Sequence, residues 1–504
     1  MVSRTTTFAF QGVEAIPVDV QVQISSGIVA FSLVGLADKA VAESRERVRA
    51  ALHAVGLALP ARRITVNLAP ADLPKEGSHY DLPIALAILS AMGTIPQDAL
   101  DGMIVMGELA LDGAILPVSG ALPAAVAAHS MGYGLICPKS SGGEAAWAGD
   151  ELKIWAPDSL VQFVNHIKGT SVLSRPSPVK APDEISVPDF KEIKGQEVAK
   201  RAFEVAAAGG HHLLMIGPPG AGKSMLAQRM PSLLPPLDPR EMLEISMVAS
   251  IAGEIKDGQL SNRRPFRNPH HSASQAALVG GGLRAKPGEM ALAHHGVLFL
   301  DELPEFQPKT LESLRQPLET GQTVIARANH HVTYPARFQL IAAMNPCRCG
   351  GGEGESACRR GPKCAQDYQA RISGPLLDRI DIQIELASVR ASDLALPPPS
   401  EGSREIALRI ARARQIQRER YNALGIKNSS LNAYAEDRLL QEICKLDELA
   451  LKLLREAADI LGLSARGYHR ILRVARTLAD LDEKSLIGKM HIAEAVSYRS
   501  RRVA

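Results

Sequence analysis

A glycine-rich segment between an apolar run and a helical run most constrains how this chain of 504 residues can fold. The segment HLLMIGPPGAGKSMLAQRM (212–230) has the G-x4-G-K-S order of a Walker A motif. Such a loop surrounds phosphates with backbone N–H groups, its lysine reaches the β- and γ-phosphates, and its serine binds Mg²⁺ at a helix N-terminus. We therefore predict a strand–loop–helix unit whose nucleotide-binding residues are Gly217, Pro218, Pro219, Gly220, Ala221, Gly222, Lys223 and Ser224.

A second apolar run, HHGVLFLDELPEF (294–306), ends in the two carboxylates Asp301 and Glu302. An Asp-Glu pair at the end of a strand is a weak signal alone, but after a Walker A loop it indicates a Walker B motif. We predict that Asp301 and Ser224 belong to the Mg²⁺ site. Glu302 is predicted to polarise the water that attacks the γ-phosphate.

Three further polar residues stand where they could act on the γ-phosphate. Asn345 ends the apolar run FQLIAAMNPC (338–347) and is predicted to orient the attacking water. Arg379 lies in a short turn of GPLLDRIDI (374–382) that the sequence predicts to be exposed, and it is a candidate arginine finger. Arg466 begins a helical pattern and is a candidate second γ-phosphate sensor, although an arginine on a solvated helix surface would give the same pattern.

Two stretches rich in proline and serine, 171–188 and 396–403, divide the chain into three parts. The first part mixes strand and helix patterns, and the central part alternates short apolar strands with helices, which is typical of a parallel sheet with crossover helices. The last part is helical in pattern. No stretch approaches about 18 uncharged apolar residues and the N-terminus lacks a signal-peptide pattern, so we expect a cytoplasmic protein without a membrane partner.

The net charge of +3 conceals an uneven distribution. Residues 1–170 carry a net charge of −5, whereas residues 191–395 carry +3 and residues 396–504 carry +6. This asymmetry is typical of chains that bind a polyanion, although basic patches are also common on solvated helices. Aromatic residues make up 4%, which leaves few platforms for base stacking, so a nucleic-acid partner would be held by its phosphates.

Six segments, in this order, resemble the YifB/ComM subfamily of magnesium-chelatase-like AAA+ proteins: GPPGAGKS, RPFRNPHHSAS, LAHHGVLFLDELPEF, FQLIAAMNPC, SGPLLDRIDI and LSARGYHRILRVARTLADL. The resemblance covers essentially the whole chain. It implies an α/β protein with a Lon-protease-like α+β domain (1–170), a linker (171–188), an AAA+ P-loop α/β domain with a parallel sheet (189–395) and a C-terminal helical lid (396–504). It also implies a homo-hexameric ATPase, in which Arg379 acts on the ATP of the neighbouring subunit.

The same resemblance implies an ATP-driven DNA translocase or helicase that promotes branch migration while transforming DNA is integrated by homologous recombination. Its partners would be single-stranded, forked or branched DNA and recombination proteins. A chelatase-type motor and a protein-remodelling motor stay as alternatives. Stimulation of ATP hydrolysis by DNA would separate the DNA motor from the chelatase.

Two segments are candidates for contacting DNA. The insert 261–289 carries five basic residues against one acid, with a hinge at Gly280, Gly281 and Gly282, and such a loop suits contacts with phosphates. The segment 319–338 is predicted to form a β-hairpin, and in the helicase-like proteins that this chain resembles both segments project into the central pore. The predicted DNA contacts are Arg263, Arg264, Arg267, Arg284, Lys286 and Arg327. The alternative is that both segments contact only neighbouring subunits or the nucleotide.

Four of the six cysteines lie within the glycine-rich segment 347–364. Four thiolates can close a tetrahedral Zn²⁺ site and stabilise a loop that has no core of its own. The C-x-C start departs from the usual C-x2-C knuckle, and reduced free thiols are the alternative. A metal bound here would hold the sensor strand in place, since Cys347 follows Asn345 closely. The candidate ligands are Cys347, Cys349, Cys358 and Cys364.

Two segments of the first part, 68–89 and 106–122, resemble the signature segments of the Lon protease catalytic domain, which uses a serine nucleophile and a lysine base. His79 stands at the position expected for the serine, and Leu122 at the position expected for the lysine. Ser78 is out of step with the motif and Lys75 belongs to its other end. We therefore predict no peptidase activity and a role in ring assembly or partner docking.

Overall fold

The structure, a computed structural model, describes residues 2–36, 38–181, 188–282, 285–326, 331–350, 358, 363–389, 397, 399, 401–426 and 431–499. Three parts follow one another along the chain: a head (2–170), a central region (189–389) and a helical tail (401–499). The described residues form a mixed α/β structure with a parallel sheet at its centre. None of the helices within these residues combines the length and apolar character that crossing a membrane requires.

A seven-stranded sheet forms the head. The strands are β1 Val2–Gln11, β2 Glu14–Ser25, β3 Ala30–Val34, β4 Arg63–Ala69, β5 Met103–Val105, β6 Glu108–Leu109, β7 Ile115–Leu116, β8 Gly134–Ile136 and β9 Ile154–Trp155. The sheet order is β3-β4-β2-β1-β5-β8-β9, with β6 and β7 as a separate hairpin. On β2, Val18, Val20 and Val22 are fully buried and their neighbours are not, as expected of a strand with one face in the core. The helices are α1 Lys39–Ala54, α2 Asp81–Ala91, α3 Ala121–Ser130, α4 Lys139–Ala145 and α5 Leu160–Ile167.

The central region is built on five parallel strands. After β10 Val179–Lys180, the strands are β11 Leu213–Ile216, β12 Gln259–Leu260, β13 Phe266–Arg267, β14 Gly280–Gly281, β15 Lys286–Pro287, β16 Val297–Leu300, β17 Gln322–Ala326, β18 His331–Pro335, β19 Gln339–Met344 and β20 Ile382–Glu385. The sheet order is β13-β16-β19-β11-β20. All four pairings in this sheet are parallel, which confirms the predicted parallel-sheet fold class.

Helices cover this sheet and connect its strands. They are α6 Glu197–Gly209, α7 Lys223–Leu233, α8 Pro239–Ala252, α9 Gln275–Val279, α10 Glu289–Leu292, α11 Pro308–Glu312, α12 Arg315–Thr320, α13 Lys363–Gln369 and α14 Gly374–Leu377. Strands β17 and β18 pair as an antiparallel hairpin. Because parallel strands share their direction, the Walker A loop, Asp301 and Asn345 follow the carboxyl ends of β11, β16 and β19 and meet at one edge of the sheet.

The tail packs directly onto the central region. Its helices are α15 Ser403–Ala423, α16 Asp437–Ile443, α17 Glu448–Leu461, α18 Ala465–Leu481 and α19 Lys489–Ser497. Leu454 and Val474 from the tail share one buried cluster with Phe203, Phe299 and Ile341 of the central region. A continuous apolar core therefore fixes the tail against the sheet.

The head contacts the central region through a buried carboxylate. Glu144 accepts hydrogen bonds from the backbone N–H of Leu122, at 3.0 Å, and from the hydroxyl of Ser250 on α8. Ser250 in turn accepts a backbone hydrogen bond from Gly120 of the head, at 3.1 Å. Burial raises the pKa of Glu144, and the two donors lower it. These contacts join α3 of the head to the helix that precedes the basic insert.

Candidate functional site

The Walker A loop leaves β11 and runs directly into α7. Gly220 and Gly222 have φ angles of +80° and +82°, in the region that favours glycine. A β-carbon on Gly217 would lie 2.8 Å from that of Leu386, so this position has no room for a side chain. The glycines thus allow the tight turn that directs the first N–H groups of α7 toward the loop, which is the arrangement that binds phosphate.

Lys223 is held inside the loop. Its ammonium donates hydrogen bonds to the carbonyl oxygens of Gly217 at 2.6 Å and Pro218 at 2.9 Å, and to Asn345 Oδ1 at 2.9 Å. Burial lowers the pKa of the ammonium, whereas the carboxylates of Asp301 and Glu302 raise it. The lysine is therefore aligned by neutral oxygens, so that its charge is available to a phosphate group.

Ser224 and Asp301 lie side by side at the mouth of the loop. The Ser224 hydroxyl donates to Asp301 Oδ2 at 2.7 Å, and the backbone N–H of Glu302 donates to Asp301 Oδ1 at 2.9 Å. Hydroxyl and carboxylate oxygens are the ligands that Mg²⁺ prefers, and Mg²⁺ at such sites is completed by substrate phosphates. The two side chains fit a Mg²⁺ ion shared with a bound nucleotide.

Glu302 has an unusual backbone and a specific neighbour. Its φ and ψ of +50° and +47° place a non-glycine residue in the left-handed region. His271 from the basic insert approaches it, with Nδ1 of the histidine 3.2 Å from Oε2 of the glutamate. The Glu302 side chain is half exposed beside the Walker A loop, where a general base for water would be placed.

The two candidate arginines lie together, away from the Walker A loop. Arg379 precedes β20, and the first residue of β20, Ile382, pairs with Leu213 at the start of β11. The Arg379 guanidinium is therefore at the amino edge of the sheet, whereas the loop is at the carboxyl edge, about 13 Å of strand away. Arg379 pairs with Glu319, and Arg466 lies 3.9 Å from the same carboxylate.

The two arginines differ in exposure. Arg379 is 6% exposed, contrary to the exposed turn that the sequence suggested, because α14 folds back over it and Pro375 O accepts its hydrogen bond at 2.7 Å. Burial lowers the pKa of Arg379, and Glu319 opposes that effect. The Arg466 side chain is 64% exposed at the start of α18. Arg466 thus extends from the surface and Arg379 is held just beneath it.

The four clustered cysteines converge in space. Their sulfur atoms all lie within 4.8 Å of one another, with 3.1 Å between Cys347 and Cys349 and 3.0 Å between Cys349 and Cys358. Tetrahedral zinc with Zn–S bonds of about 2.3 Å places its sulfurs about 3.8 Å apart, so the donor set fits Zn²⁺. The chain between these cysteines lies largely outside the described residues.

The cysteine cluster also touches the nucleotide site. Cys347 follows Asn345 and Pro346 in the chain, and Gln369 Nε2 donates to Pro346 O at 3.0 Å. Gly350 packs on Pro219 of the Walker A loop, where a β-carbon would lie 2.8 Å from the proline ring. The position of the cluster is therefore coupled to the sensor asparagine and to the loop.

The insert divides its basic residues into two kinds. Arg264 is 9% exposed and donates to Glu241 at 2.7 Å and to His295 O at 2.8 Å. Arg267 donates to Glu289 at 2.6 Å and to Glu254 at 3.0 Å. Their guanidinium groups are bound to carboxylates of this chain, which leaves Arg264 and Arg267 less available to DNA phosphates than the sequence predicts.

The other predicted DNA contacts are placed differently. Lys286 is exposed on β15, and Arg263 is half-buried beside Arg264. Arg284 and Arg327 lie outside the described residues. The hairpin β17–β18 forms as predicted, and its tip lies in the same undescribed stretch as Arg327.

Much of the basic charge of the tail is used inside the protein. On α15, Arg409 donates to Glu204 at 2.6 Å and Arg414 donates to Ala207 O at 2.6 Å. Arg420 pairs with the buried Asp480. Burial lowers the pKa of Arg414 to about 9. Part of the positive charge of the tail is therefore used in helix packing.

A second cluster, of Glu244, His294 and His295, connects α8 to the start of the Walker B strand. Glu244 Oε2 lies 3.2 Å from His294 Nε2 and 2.9 Å from His295 Nε2. His294 Nδ1 accepts the backbone N–H of Arg337 at 3.0 Å, so in the neutral ring Nε2 carries the proton and donates to Glu244. A metal at Nε2 would need that nitrogen unprotonated, and this cluster is therefore a hydrogen-bonded brace.

The head places neither expected catalytic residue of a Lon protease where the motif requires it. His79 is buried, and its Nε2 lies 2.8 Å from Phe8 O. Leu122 is fully buried at the start of α3. Ser78 Oγ donates to Glu108, and the buried ammonium of Lys75 donates to Pro70 O.

Sequence reasoning missed two functional candidates, Glu319 and His271. Glu319 lies beside both candidate arginines and pairs with Arg379. It belongs to a short helix with no motif, and nothing in the sequence pairs it with Arg379. His271 was visible in the sequence as half of a histidine pair. Its approach to Glu302 becomes evident only because β13, just before it, lies beside the Walker B strand.

Comparison with protein families gives three matches along the chain. The family described as magnesium chelatase, subunit ChlI, matches residues 189–394. The family described as subunit ChlI of Mg-chelatase matches residues 20–141, and that of the ChlI C-terminal part matches residues 400–499.

Individual proteins are similar over nearly the full length. The uncharacterized protein YifB of Escherichia coli (strain K12) is 43% identical over 503 residues, covering 98% of this chain and 96% of its own. The competence protein ComM of Haemophilus influenzae is 43% identical over 498 residues, with the same coverage. The magnesium-chelatase 38 kDa subunit of Rhodobacter capsulatus is 25% identical over 346 residues, covering 62% of this chain and 88% of its own.

Proposed function

The chain belongs to the magnesium-chelatase-like AAA+ family that includes YifB and ComM, and we propose that it is an ATP-driven DNA translocase that promotes branch migration. The observation that carries the proposal is the linked group at the carboxyl edge of the sheet. Lys223 is bonded to Asn345, and Ser224 is bonded to Asp301. These two contacts support a site in which a phosphate-binding ammonium, a Mg²⁺ ion and a water-orienting amide act together.

Each of these residues has a role in ATP hydrolysis. The loop N–H groups and Lys223 bind the β- and γ-phosphates, and Ser224 and Asp301 hold Mg²⁺. When bound, Mg²⁺ neutralises charge that develops on the phosphate oxygens. Glu302 accepts the proton of the attacking water and Asn345 orients that water.

Hydrolysis requires a second subunit in this proposal. Arg379 and Arg466 lie at the Glu319 carboxylate, across the sheet from the Walker A loop of their own chain. They can stabilise charge on a γ-phosphate only when a neighbouring subunit brings its loop to them. A closed homo-hexameric ring satisfies this requirement at every interface.

DNA is the proposed substrate of the motor. Lys286 and Arg263 of the insert, with Arg284 and Arg327, supply phosphate contacts without base recognition. The name of the Haemophilus influenzae relative, competence protein ComM, supports a role in the integration of transforming DNA, which implies forked or branched DNA and recombination proteins as partners.

We assign the domains as a Lon-protease-like domain without a Ser/Lys dyad (1–170), a linker (171–188), an AAA+ domain (189–395) and a helical lid (396–504). The head would serve ring assembly or partner docking in the cytoplasm. Glu144, which ties α3 to Ser250 on α8, supports this role because it links the head to the helix that precedes the insert.

We also propose a structural Zn²⁺ at Cys347, Cys349, Cys358 and Cys364. Metal analysis of the purified protein should give one zinc per chain, and Cys358→Ser should lose it. Cys137→Ala, at a buried cysteine of the head, is the matched control and should keep the metal. Protein without zinc would leave four free thiols in its place.

A chelatase-type or protein-remodelling motor is the second candidate, because the matching families are described as magnesium-chelatase subunits. The rate of ATP hydrolysis, measured with and without forked DNA, distinguishes the DNA motor from the second candidate. If the protein is a DNA motor, forked DNA should stimulate ATP hydrolysis several-fold, and the ring should have a mass near that of six chains. An unchanged rate and no DNA binding would favour the second candidate.

A further inference from the structure

The first turn of the head contacts the hairpin β17–β18 of the central region. Gly12, between β1 and β2, has a φ angle of +67°. A β-carbon on Gly12 would lie 2.7 Å from the carbonyl oxygen of Thr333 and 3.5 Å from Val332 Cγ1. The next residue, Val13, packs against the buried apolar cluster that contains Ile325 and Val332. The turn therefore approaches the backbone of β18 so closely that only glycine fits at position 12.

The hairpin depends on its surroundings for its direction. Strands β17 and β18 pair with each other and, within the described residues, with no strand of the five-stranded sheet. A two-stranded hairpin is marginally stable alone, so packing against neighbouring elements must fix it. One such contact comes from the insert, where Ala285 O accepts a hydrogen bond from the Tyr334 hydroxyl at 2.9 Å. The turn of the head supplies another.

Open space lies on both sides of this turn. Two cavities, of about 270 Å³ and about 470 Å³, are both lined by Gln11. Gly12 and Val332 line the first cavity, whereas Val13 and Thr333 line the second. The turn thus spans a gap between the head and the hairpin, and its two central residues face opposite sides of that gap. A hairpin supported across open space can change direction if the support is altered.

We propose that Gly12 and Val13 are positioning residues through which the head sets the direction of the hairpin that carries Arg327. The inference rests on the proposed function and adds a role for the head in it, the alignment of the hairpin with DNA. The nucleotide site does not need this support. Strand β19, which leads to Asn345, is held on both sides by β11 and β16. Altering the turn should therefore change the response to DNA and spare hydrolysis without DNA.

Two glycines of the head with the same backbone conformation give a matched pair of variants. Gly12 and Gly102 have φ angles of +67° and +68°, so alanine is strained equally at both. A β-carbon on Gly102, however, would meet no atom of the described residues within 4 Å. In Gly12→Ala, amide hydrogen exchange within β17 and β18 should rise about three-fold or more, and exchange within β19 should stay unchanged. Gly102→Ala should change neither.

The rate of ATP hydrolysis by the full chain gives the functional measurement. In Gly12→Ala the rate without DNA should stay within about two-fold of that of the unaltered protein, because β19 is held by the sheet. Stimulation by a forked DNA of fixed sequence should fall toward one-fold. Val13→Ser removes the apolar contact without straining a positive φ angle and should act in the same direction. This second variant keeps the test decisive if Gly12→Ala does not fold.

Three results would overturn the inference. Unchanged hydrogen exchange in the hairpin of Gly12→Ala and Val13→Ser would mean that the turn does not hold it. Raised exchange with full stimulation by DNA would mean that the direction of the hairpin does not matter to the motor. A large loss of hydrolysis without DNA would mean that the turn supports the nucleotide site. Failure of the proposed function is a separate result: forked DNA would not stimulate the unaltered protein, and hydrogen exchange would still show whether the turn holds the hairpin.

Discussion

The ammonium of Lys223 lies 2.9 Å from the side-chain oxygen of Asn345, which joins the Walker A loop to the sensor strand. The two residues are far apart in sequence and meet because β11 and β19 are adjacent and parallel, with Ile216 paired to Met344. A phosphate bound by Lys223 is therefore also within reach of Asn345. The proposed binding of phosphate by Lys223 and the proposed orientation of water by Asn345 would then depend on one arrangement.

The contact between Lys223 and Asn345 predicts that substitutions of the two residues affect ATP binding and ATP hydrolysis differently. Lys223→Ala should abolish ATP binding, because the variant loses the ammonium that the Walker A loop holds for the phosphates. Asn345→Ala should keep ATP binding within a few-fold and lower turnover by about 100-fold, the scale of a misplaced reacting group. Equilibrium binding of a fluorescent ATP analogue and steady-state hydrolysis measure the two effects. Equal loss of binding in both variants would contradict the assigned role of Asn345.

The arrangement of arginines predicts complementation between subunits. Glu302→Gln should bind ATP without hydrolysing it, and Arg379→Ala should fail in the same way while its own Walker residues are intact. In mixed rings some interfaces combine an intact Glu302 with an intact Arg379 from the neighbouring chain. Mixing the two inactive proteins should therefore recover measurable ATPase activity. Rings that stay inactive after verified mixing would place Arg379 in its own subunit's site.

The exposed lysine of the insert gives a prediction about salt. Lys286→Ala should weaken DNA binding at all sequences and reduce the slope of log K against log salt by about 0.7 to 0.9, the value of one phosphate contact. Lys168→Ala, on the exposed surface of the head, is the charge-matched control and should change neither. Binding titrations at four salt concentrations measure the slope. A slope unaltered in Lys286→Ala would place the DNA elsewhere.

The sequence predicted which candidate residues of the nucleotide site lie together, because these residues are set by local motifs and by strand ends. Asp301 and Asn345 each follow an apolar strand, and the carboxyl ends of parallel strands share an edge. The parallel sheet itself follows from alternating strands and helices. These features depend on short segments and on topology, both of which are legible in one sequence.

The partners of the arginines were not predictable in this way. Nothing in the sequence distinguishes Arg264 and Arg267 from Arg263. In the fold, however, Glu241 on α8 binds Arg264 and Glu289 on α10 binds Arg267. Ion pairing depends on which surfaces meet in the fold. The count of five basic residues against one acid included only residues within the insert. Glu241 on α8 and Glu254 just after it come from outside the insert, so the local charge overstated the free charge.

The brace between α8 and the Walker B strand gives a prediction about acid. Burial lowers the pKa of His294 to about 4, with Glu244 opposing that effect and His295 and Arg337 adding to it. In the unfolded chain the histidine titrates near 6.5, so between pH 6.5 and about 4 the unfolded state binds a proton that the folded state does not. As the pH is lowered through this range, this group should therefore reduce the free energy of unfolding by up to about 1.4 kcal/mol per pH unit.

Replacing the histidine isolates its share of that dependence. His294→Gln can still accept from Arg337 and donate to Glu244, but it does not titrate, so its melting temperature should fall less than that of the unaltered protein between pH 7 and pH 5. His53→Gln, at a histidine on the exposed side of α1, is the control and should keep the full dependence. Thermal unfolding at several pH values measures the difference. Parallel curves for His294→Gln and the unaltered protein would mean that His294 is already protonated in the folded state.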